Sequence, residues 1–344
     1  MHKLFEKEMK QVKTTTALLF SVLLLISGCN KSTWIKNQGE VFGTYYHIIY
    51  ESPGGEDLHQ EVLQALRSVN KSLSTYDSTS VISLLNQSKK GTPTDPHFRK
   101  VFEAGRTISA ATGGAFDMTV APLVNAWGFG FTNKEEMTPE KVKALKQLVG
   151  MNNLKLTDDS VLKSRPEIMM DASAIAKGYG VDVAAQILSD YGCKNFLVEI
   201  GGEIVCRGEN SRDEHWKVGI DKPIDDPVAS NRELQFILKL SGKALATSGN
   251  YRQFYIDEKT GKKYAHTIDP ISGMPVEHSL LSASVIADDC MTADAYATAC
   301  MVLGVEKSME LMKKHPEMAG CFIYSTEDGM EVSLTDGFDK YITN

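Results

Sequence analysis

The chain has 344 residues, 42% hydrophobic and 24% charged, an ordinary globular composition that allows a sizeable core and, as a soft prior, about two domains. The formal net charge is −7 and no basic run occurs beyond the first residues, which argues against nucleic acid as a partner.

In chain order, the first residues form a targeting segment rather than part of a fold. Lys3, Lys7, Lys10 and Lys13 precede an apolar run over 17–26, too short to span a bilayer as a stable helix. The run ends Ile26-Ser27-Gly28-Cys29, the order of a bacterial lipobox, in which the cysteine becomes the lipidated first residue. Residues 1–28 are therefore expected to be a lipoprotein signal peptide, Cys29 the lipidation site, 29–38 a polar tether, and 39–344 one folded domain. The expected place is the bacterial membrane, exported and facing the periplasm or cell exterior. The alternative is an ordinary signal peptide, or an anchoring segment, with an incidental cysteine.

Residues 40–51 alternate loosely and read as a strand. Helices are expected over 57–73, where Leu58, Val62, Ala65, Leu66 and Val69 share a face, then over 80–86, 98–112 and 138–149, the last with Thr138 as cap and Pro139 at the first position. Residues 166–170 read as a short strand, 171–174 as a turn, and the following segment as a helix with Lys177 in its first turn. Strands then dominate: 196–200, 204–207, 216–220, 234–240, 244–247, 252–256 and 282–287. Helices over 291–303 and 306–315 and strands over 321–325 and 330–334 close the chain. Strands following strands, with helices in separate blocks, favour α+β over a doubly wound sheet. The remaining cysteines, Cys193, Cys206, Cys290, Cys300 and Cys321, are odd in number, lack C-x-x-C spacing and read as buried thiols.

Several segments carry chemistry. Lysine at the positive end of a helix dipole is unfavourable, and the turn before Lys177 is nearly bare of side chains (Ala172, Ser173, Ala174, Ala176). It reads as an anion site, phosphate above all, or as a helix packed close to a sheet. Asp294 and Thr298 lie four apart on one helix face and offer two hard oxygens suited to Mg²⁺, or else a helix-terminal acid and a packed hydroxyl. His266 stands before the tight turn Asp269-Pro270-Ile271-Ser272-Gly273, as a candidate base or an incidental residue. Neither a P-loop nor a G-x-G-x-x-G fingerprint is present.

Taken together, the motifs S-T-Y-D (74–77) with S-V-I-S-L-L-N (80–86), G-G-A-F-D (113–117), D-A-S-A-I-A-K-G-Y (171–179), I-G-G-E (200–203), A-T-S-G-N-Y (246–251), H-T-I-D-P-I-S-G (266–273) and A-D-A-Y-A-T-A (293–299) resemble, in this order, the ApbE family of flavin transferases. The resemblance covers roughly 38–341. It implies an α+β, T-fold-like architecture, a mostly antiparallel or mixed sheet with helices packed on it, in two lobes with the FAD site between them. It also implies Mg²⁺-dependent transfer of FMN from FAD to a threonine or serine of a partner flavoprotein, with release of AMP. The partners implied are flavin-bearing subunits of membrane redox complexes. Carried over by position, Tyr76, Ala115, Phe116, Asp117, Asp171, Lys177 and Ile268 match FAD contacts. Asp294, Thr298 and the Ala174 carbonyl match magnesium ligands, and His266 the base. The chain departs from the family at Phe42, where methionine is usual at an FAD contact, and at Glu199 and Glu203, where asparagine and aspartate are common. FAD hydrolysis to FMN and AMP, and flavin binding without turnover, are the competing readings.

Overall fold

The computed structural model describes residues 32–130, 134–224, 233–250, 254–256 and 263–343, so Cys29 and the leader lie outside the described residues. The chain opens with strands β1 (Thr33–Val41) and β2 (Thr44–Ser52). Helices α1 (His59–Leu73) and α2 (Val81–Gln87), strand β3 (Gly91–Pro93), and helices α3 (Pro96–Ala111), α4 (Ala121–Ala126) and α5 (Pro139–Lys146) follow. Next come β4 (Leu154–Leu156), β5 (Ser160–Lys163), α6 (Ala176–Asp190), β6 (Phe196–Ile200), β7 (Glu203–Arg207), β8 (Trp216–Asp221) and β9 (Leu234–Leu240). The last part holds β10 (Lys243–Gly249), β11 (Phe254–Ile256), β12 (Lys263–Ala265), β13 (Leu280–Ala287), α7 (Cys290–Leu303), α8 (Val305–Lys313), β14 (Ala319–Thr326) and β15 (Gly329–Leu334).

The frame is an eight-stranded sheet in the order β1-β2-β6-β7-β10-β13-β14-β15, antiparallel at every pair. This is the α+β arrangement expected from strands that succeed one another across short turns. Because successive side chains point to opposite faces, each central strand feeds two cores. Tyr46, Ile48, Phe196, Val198, Val205 and Ala244 pack under α1 and α6. Ala246, Val285 and Phe322 pack with α2, α3 and α7. The alternate residues Ile204, Cys206, Leu245, Ile286 and Cys321 pack on the opposite face beneath the β8–β9 ribbon. The five cysteines of this region are buried free thiols, as their apolar surroundings suggest.

Local chemistry accounts for the helix starts. Ser80, Asp95, Thr138 and Asp289 each accept a backbone N–H of the first turn, a cap worth about 1 kcal/mol. Two expectations need correction. The stretch read as a tether up to Gln38 is, from Thr33 onward, the edge strand β1, so 40–51 is not one strand but parts of β1 and β2 around a turn. Residues 166–170 are not a strand. The Asn86 amide stands in for a neighbouring strand there, donating to the Met170 carbonyl at 2.9 Å and accepting its N–H at 2.8 Å. Of the strand expected at 252–256, Phe254–Ile256 is observed and the first two residues lie outside the described residues.

The β1–β2 turn places Phe42 and Gly43 at φ 54° and 72°. A two-residue hairpin turn of this hand matches the twist of its strands, but phenylalanine in the left-handed region costs about 1–2 kcal/mol. The ring's packing offsets that cost: a Cβ on Gly180 of α6 would lie 2.3 Å from Phe42 Cε2, so the helix has a glycine where the ring sits.

Candidate active site

One end of the sheet gathers the β1–β2 turn, the Gly201-Gly202 turn between β6 and β7, the C-terminal end of β10 and the start of α6. Lys177 is in the first turn of α6, as read from sequence. Its Nζ lies 2.6 Å from Oε1 of Glu203, the first residue of β7, which is 2% exposed. Helix α7 crosses α6 here. A Cβ on Gly178 would lie 2.3 Å from the Cys290 carbonyl oxygen and 2.8 Å from Asp294 Cβ. In this close contact the Gly178 N–H donates to Asp294 Oδ2 at 3.0 Å. Asp294 is fully buried, whereas the helix N-cap is Asp289, so Asp294 is not a helix-terminal acid.

The electrostatics follow from burial. Burial pushes Glu203 and Asp294 above the usual carboxylate range, against the pull of Lys177. Burial alone would lower the Lys177 ammonium, but the charges of Glu203 and Asp294 outweigh it and hold lysine above its ordinary value. Two buried carboxylates thus share one ammonium, and Glu203 Oε2 has no hydrogen-bond partner among the described residues. A divalent cation beside Asp294 would favour the ionised carboxylates that burial disfavours. The Asp294 carboxylate, the half-buried Thr298 hydroxyl one turn on, and the carbonyl of Ala174 are hard oxygen donors of the type Mg²⁺ takes. No group of three or more His, Cys, Asp or Glu gathers as a metal cluster among the described residues, and this donor set is not of that kind.

The remaining motifs attach to this end through named contacts. Thr298 Oγ1 lies 3.2 Å from Ser248 Oγ of β10. Two residues on, Asn250 Oδ1 accepts from Thr267 Oγ1 at 2.5 Å, which ties the segment of His266 to the end of β10. His266 is half-buried and meets Phe129 edge-on, with centroids 6.5 Å apart. Its following turn is held by Asp269, whose carboxylate accepts the N–H groups of Ile271 and Ser272. Gly114, at φ 87°, faces Ile271, so the G-G-A-F-D turn abuts the histidine turn. The Asp171 N–H donates to the Met118 carbonyl at 2.7 Å, joining that turn to the segment leading into α6.

Other positions differ in kind from open contact residues. The Asp117 carboxylate is buried and accepts from the Thr119 N–H and hydroxyl, the Ser109 hydroxyl and the Met151 N–H. Asp171 accepts from the Ser173 N–H and hydroxyl. Ala115 and Phe116 are core residues, and Ile268 packs on Leu123 and Trp127. Tyr76 is 86% exposed in the turn before α2. Sequence reasoning did not single out Asn86, Ser248 or Glu203 as site residues. Glu203 had one visible sign, a carboxylate directly after a double glycine at the head of an apolar strand.

This end of the molecule defines an α+β protein with a cationic, side-chain-poor helix start beside a buried acidic pair, the makings of a site for a polyanion and a divalent ion. A family model described as the ApbE family matches residues 42–323, and the chain belongs to that family. An "FAD:protein FMN transferase" of Haemophilus influenzae is 34% identical over 335 residues, covering 93% of this chain and 95% of the relative. One of Vibrio cholerae is 36% identical over 330 residues, covering 93% and 97%. Among solved structures, the flavin transferase ApbE from Vibrio cholerae superposes with TM-score 0.80 at 34% identity, covering 90% of this chain and 99% of that one. The apo form of the Pseudomonas stutzeri flavinyl transferase ApbE gives 0.80 at 32% identity, covering 90% and 97%.

Proposed function

We propose that this chain is an FAD:protein FMN transferase, which moves the FMN half of FAD onto a threonine or serine hydroxyl of an acceptor flavoprotein and releases AMP. The observation that carries this reading is the buried pair Glu203 and Asp294 around the single ammonium of Lys177, at a helix start bare enough for a pyrophosphate. The activity named for relatives that match 93% of this chain supports it.

In the reaction, the acceptor oxygen bonds to the FMN phosphorus as the bond from that phosphorus to the bridging oxygen breaks. The electron pair leaves on AMP. His266 accepts the hydroxyl proton, the role its half-buried position and its held turn suit. Lys177 sets positive charge against the pyrophosphate oxygens, and the small residues Ala172, Ser173 and Ala174 let the backbone approach. Asp294, Thr298 and the Ala174 carbonyl would hold Mg²⁺, which when bound neutralises charge on the transferring phosphoryl group. Phe42 lines the hairpin edge of this end through its seat on Gly180. The leader and Cys29 support an exported, lipid-anchored protein facing the periplasm or cell exterior, with acceptors among flavin-bearing subunits of membrane redox complexes.

The test follows AMP release from FAD and Mg²⁺ with and without an acceptor domain bearing the threonine, and weighs the acceptor by mass spectrometry. The expected result is AMP that depends on acceptor, with the acceptor heavier by one FMN. AMP at equal rate without acceptor and no mass gain would make the chain an FAD hydrolase. No AMP in either case would leave a flavin-binding lipoprotein.

A further inference from the structure

Glu203 has no step of its own in the transfer just described, yet it is buried in direct contact with Lys177. It is 2% exposed, one oxygen holds Lys177 Nζ at 2.6 Å and the other has no partner among the described residues. Its place is set by the Gly201-Gly202 turn, at φ 62° and 99°, and by pairing of Ile200 with Glu203 across the hairpin. Lys177 is set through its backbone. The next residue, Gly178, donates to Asp294 and has no room for a Cβ, so the lysine's backbone is fixed beside α7. From there the ammonium feels two buried carboxylates, and the direct contact it makes is with Glu203.

We propose that Glu203 is a positioning residue: it takes the ammonium of Lys177 and so keeps it off Asp294, leaving that carboxylate for a divalent cation. The proposal rests on the reading of Asp294 as a metal ligand. An ammonium drawn onto Asp294 would occupy the same lone pairs as the ion and add like charge beside it. With Glu203 as its partner, the lysine stays at the helix start, where its charge faces an incoming anion.

The experiment measures Mn²⁺ binding to the full chain, read as loss of the free-ion EPR signal, in the parent, Glu203→Gln, Lys177→Met and the double variant. Glu203→Gln keeps the shape but not the charge, and should weaken Mn²⁺ binding about tenfold. Lys177→Met should not weaken it. With the lysine gone, adding Glu203→Gln should change affinity by less than about twofold, since the residue that Glu203 restrains is absent. Glu203→Asp, which keeps the charge on a shorter arm, should lie between parent and Gln and serves if the Gln variant does not fold. Parent-like affinity in both Glu203 variants would overturn the proposal. So would an equal loss with and without Lys177, which would mean that Glu203 acts on the ion itself. A parent that holds no Mn²⁺ would instead remove the metal reading of Asp294, and this proposal with it.

Discussion

The two faces of the central sheet are built from the same strands and do opposite work. Beneath the β8–β9 ribbon the inward residues are Ile204, Cys206, Leu245, Ile286, Cys321 and Ile323, an apolar layer that serves only packing. On the helix face, the same strands end in polar groups: Glu203 heads β7 and Ser248 sits near the end of β10. There α7 adds a carboxylate that burial makes costly to ionise. A buried charge without full compensation lowers stability, so the helix face gives up stability for a site and the ribbon face does not.

Substitutions can break or sharpen that contrast. Asp294→Asn has the largest expected effect: transfer should fall about a thousandfold as AMP release loses its Mg²⁺ dependence, while Tm in metal-free buffer stays at or above the parent's. Undiminished turnover would remove the metal assignment. His266→Ala should slow transfer about a hundredfold and leave FAD binding intact. Equilibrium titration with FAD checks it, and lost binding would make His266 a binding residue. Gly178→Ala forces a methyl against the Cys290 carbonyl, so α6 and α7 must part. It should cost about 2 kcal/mol by denaturant unfolding and reduce transfer as well. On the ribbon face, Ile286→Val should cost about 1 kcal/mol and leave transfer unchanged. A loss of transfer there would mean that the two faces are not independent.

Much of this was legible in the sequence because the chemistry was local. Periodicity locates α1, α7, the strands β6 to β11 and the strands β13 to β15 within a few residues but not the three-residue β12, and Lys177 stands out because it sits at the wrong end of a helix. What was hidden depended on distant partners. β1 is an edge strand whose one buried residue is the polar Asn37, so it lacks the apolar alternation that marks a strand buried on one face. The segment at 166–170 turns at Pro166-Glu167 and then holds Met170 on the amide of Asn86, far away in the chain. Asp117 reads as a contact residue in its motif, yet its four donors come from Ser109, Thr119 and Met151. Glu203 was visible as a carboxylate after a double glycine and as a departure from the family's usual residue, but its meaning required the position of Lys177.

Phe42 and Gly180 sit far apart in the chain, yet Gly180 cannot gain a side chain while the ring lies over it. The hairpin carries a flat ring, and the helix is cut back to a bare α-carbon beneath it. A chimera that grafts a relative's hairpin with methionine at this place would set a thin, bendable arm over a notch shaped for a plate. A chimera that grafts only the helix, with alanine there, would jam the ring. Parts swapped between members of this family therefore have to travel as a matched pair, and recombination libraries that keep positions 42 and 180 from one parent should yield more folded members than those that split them.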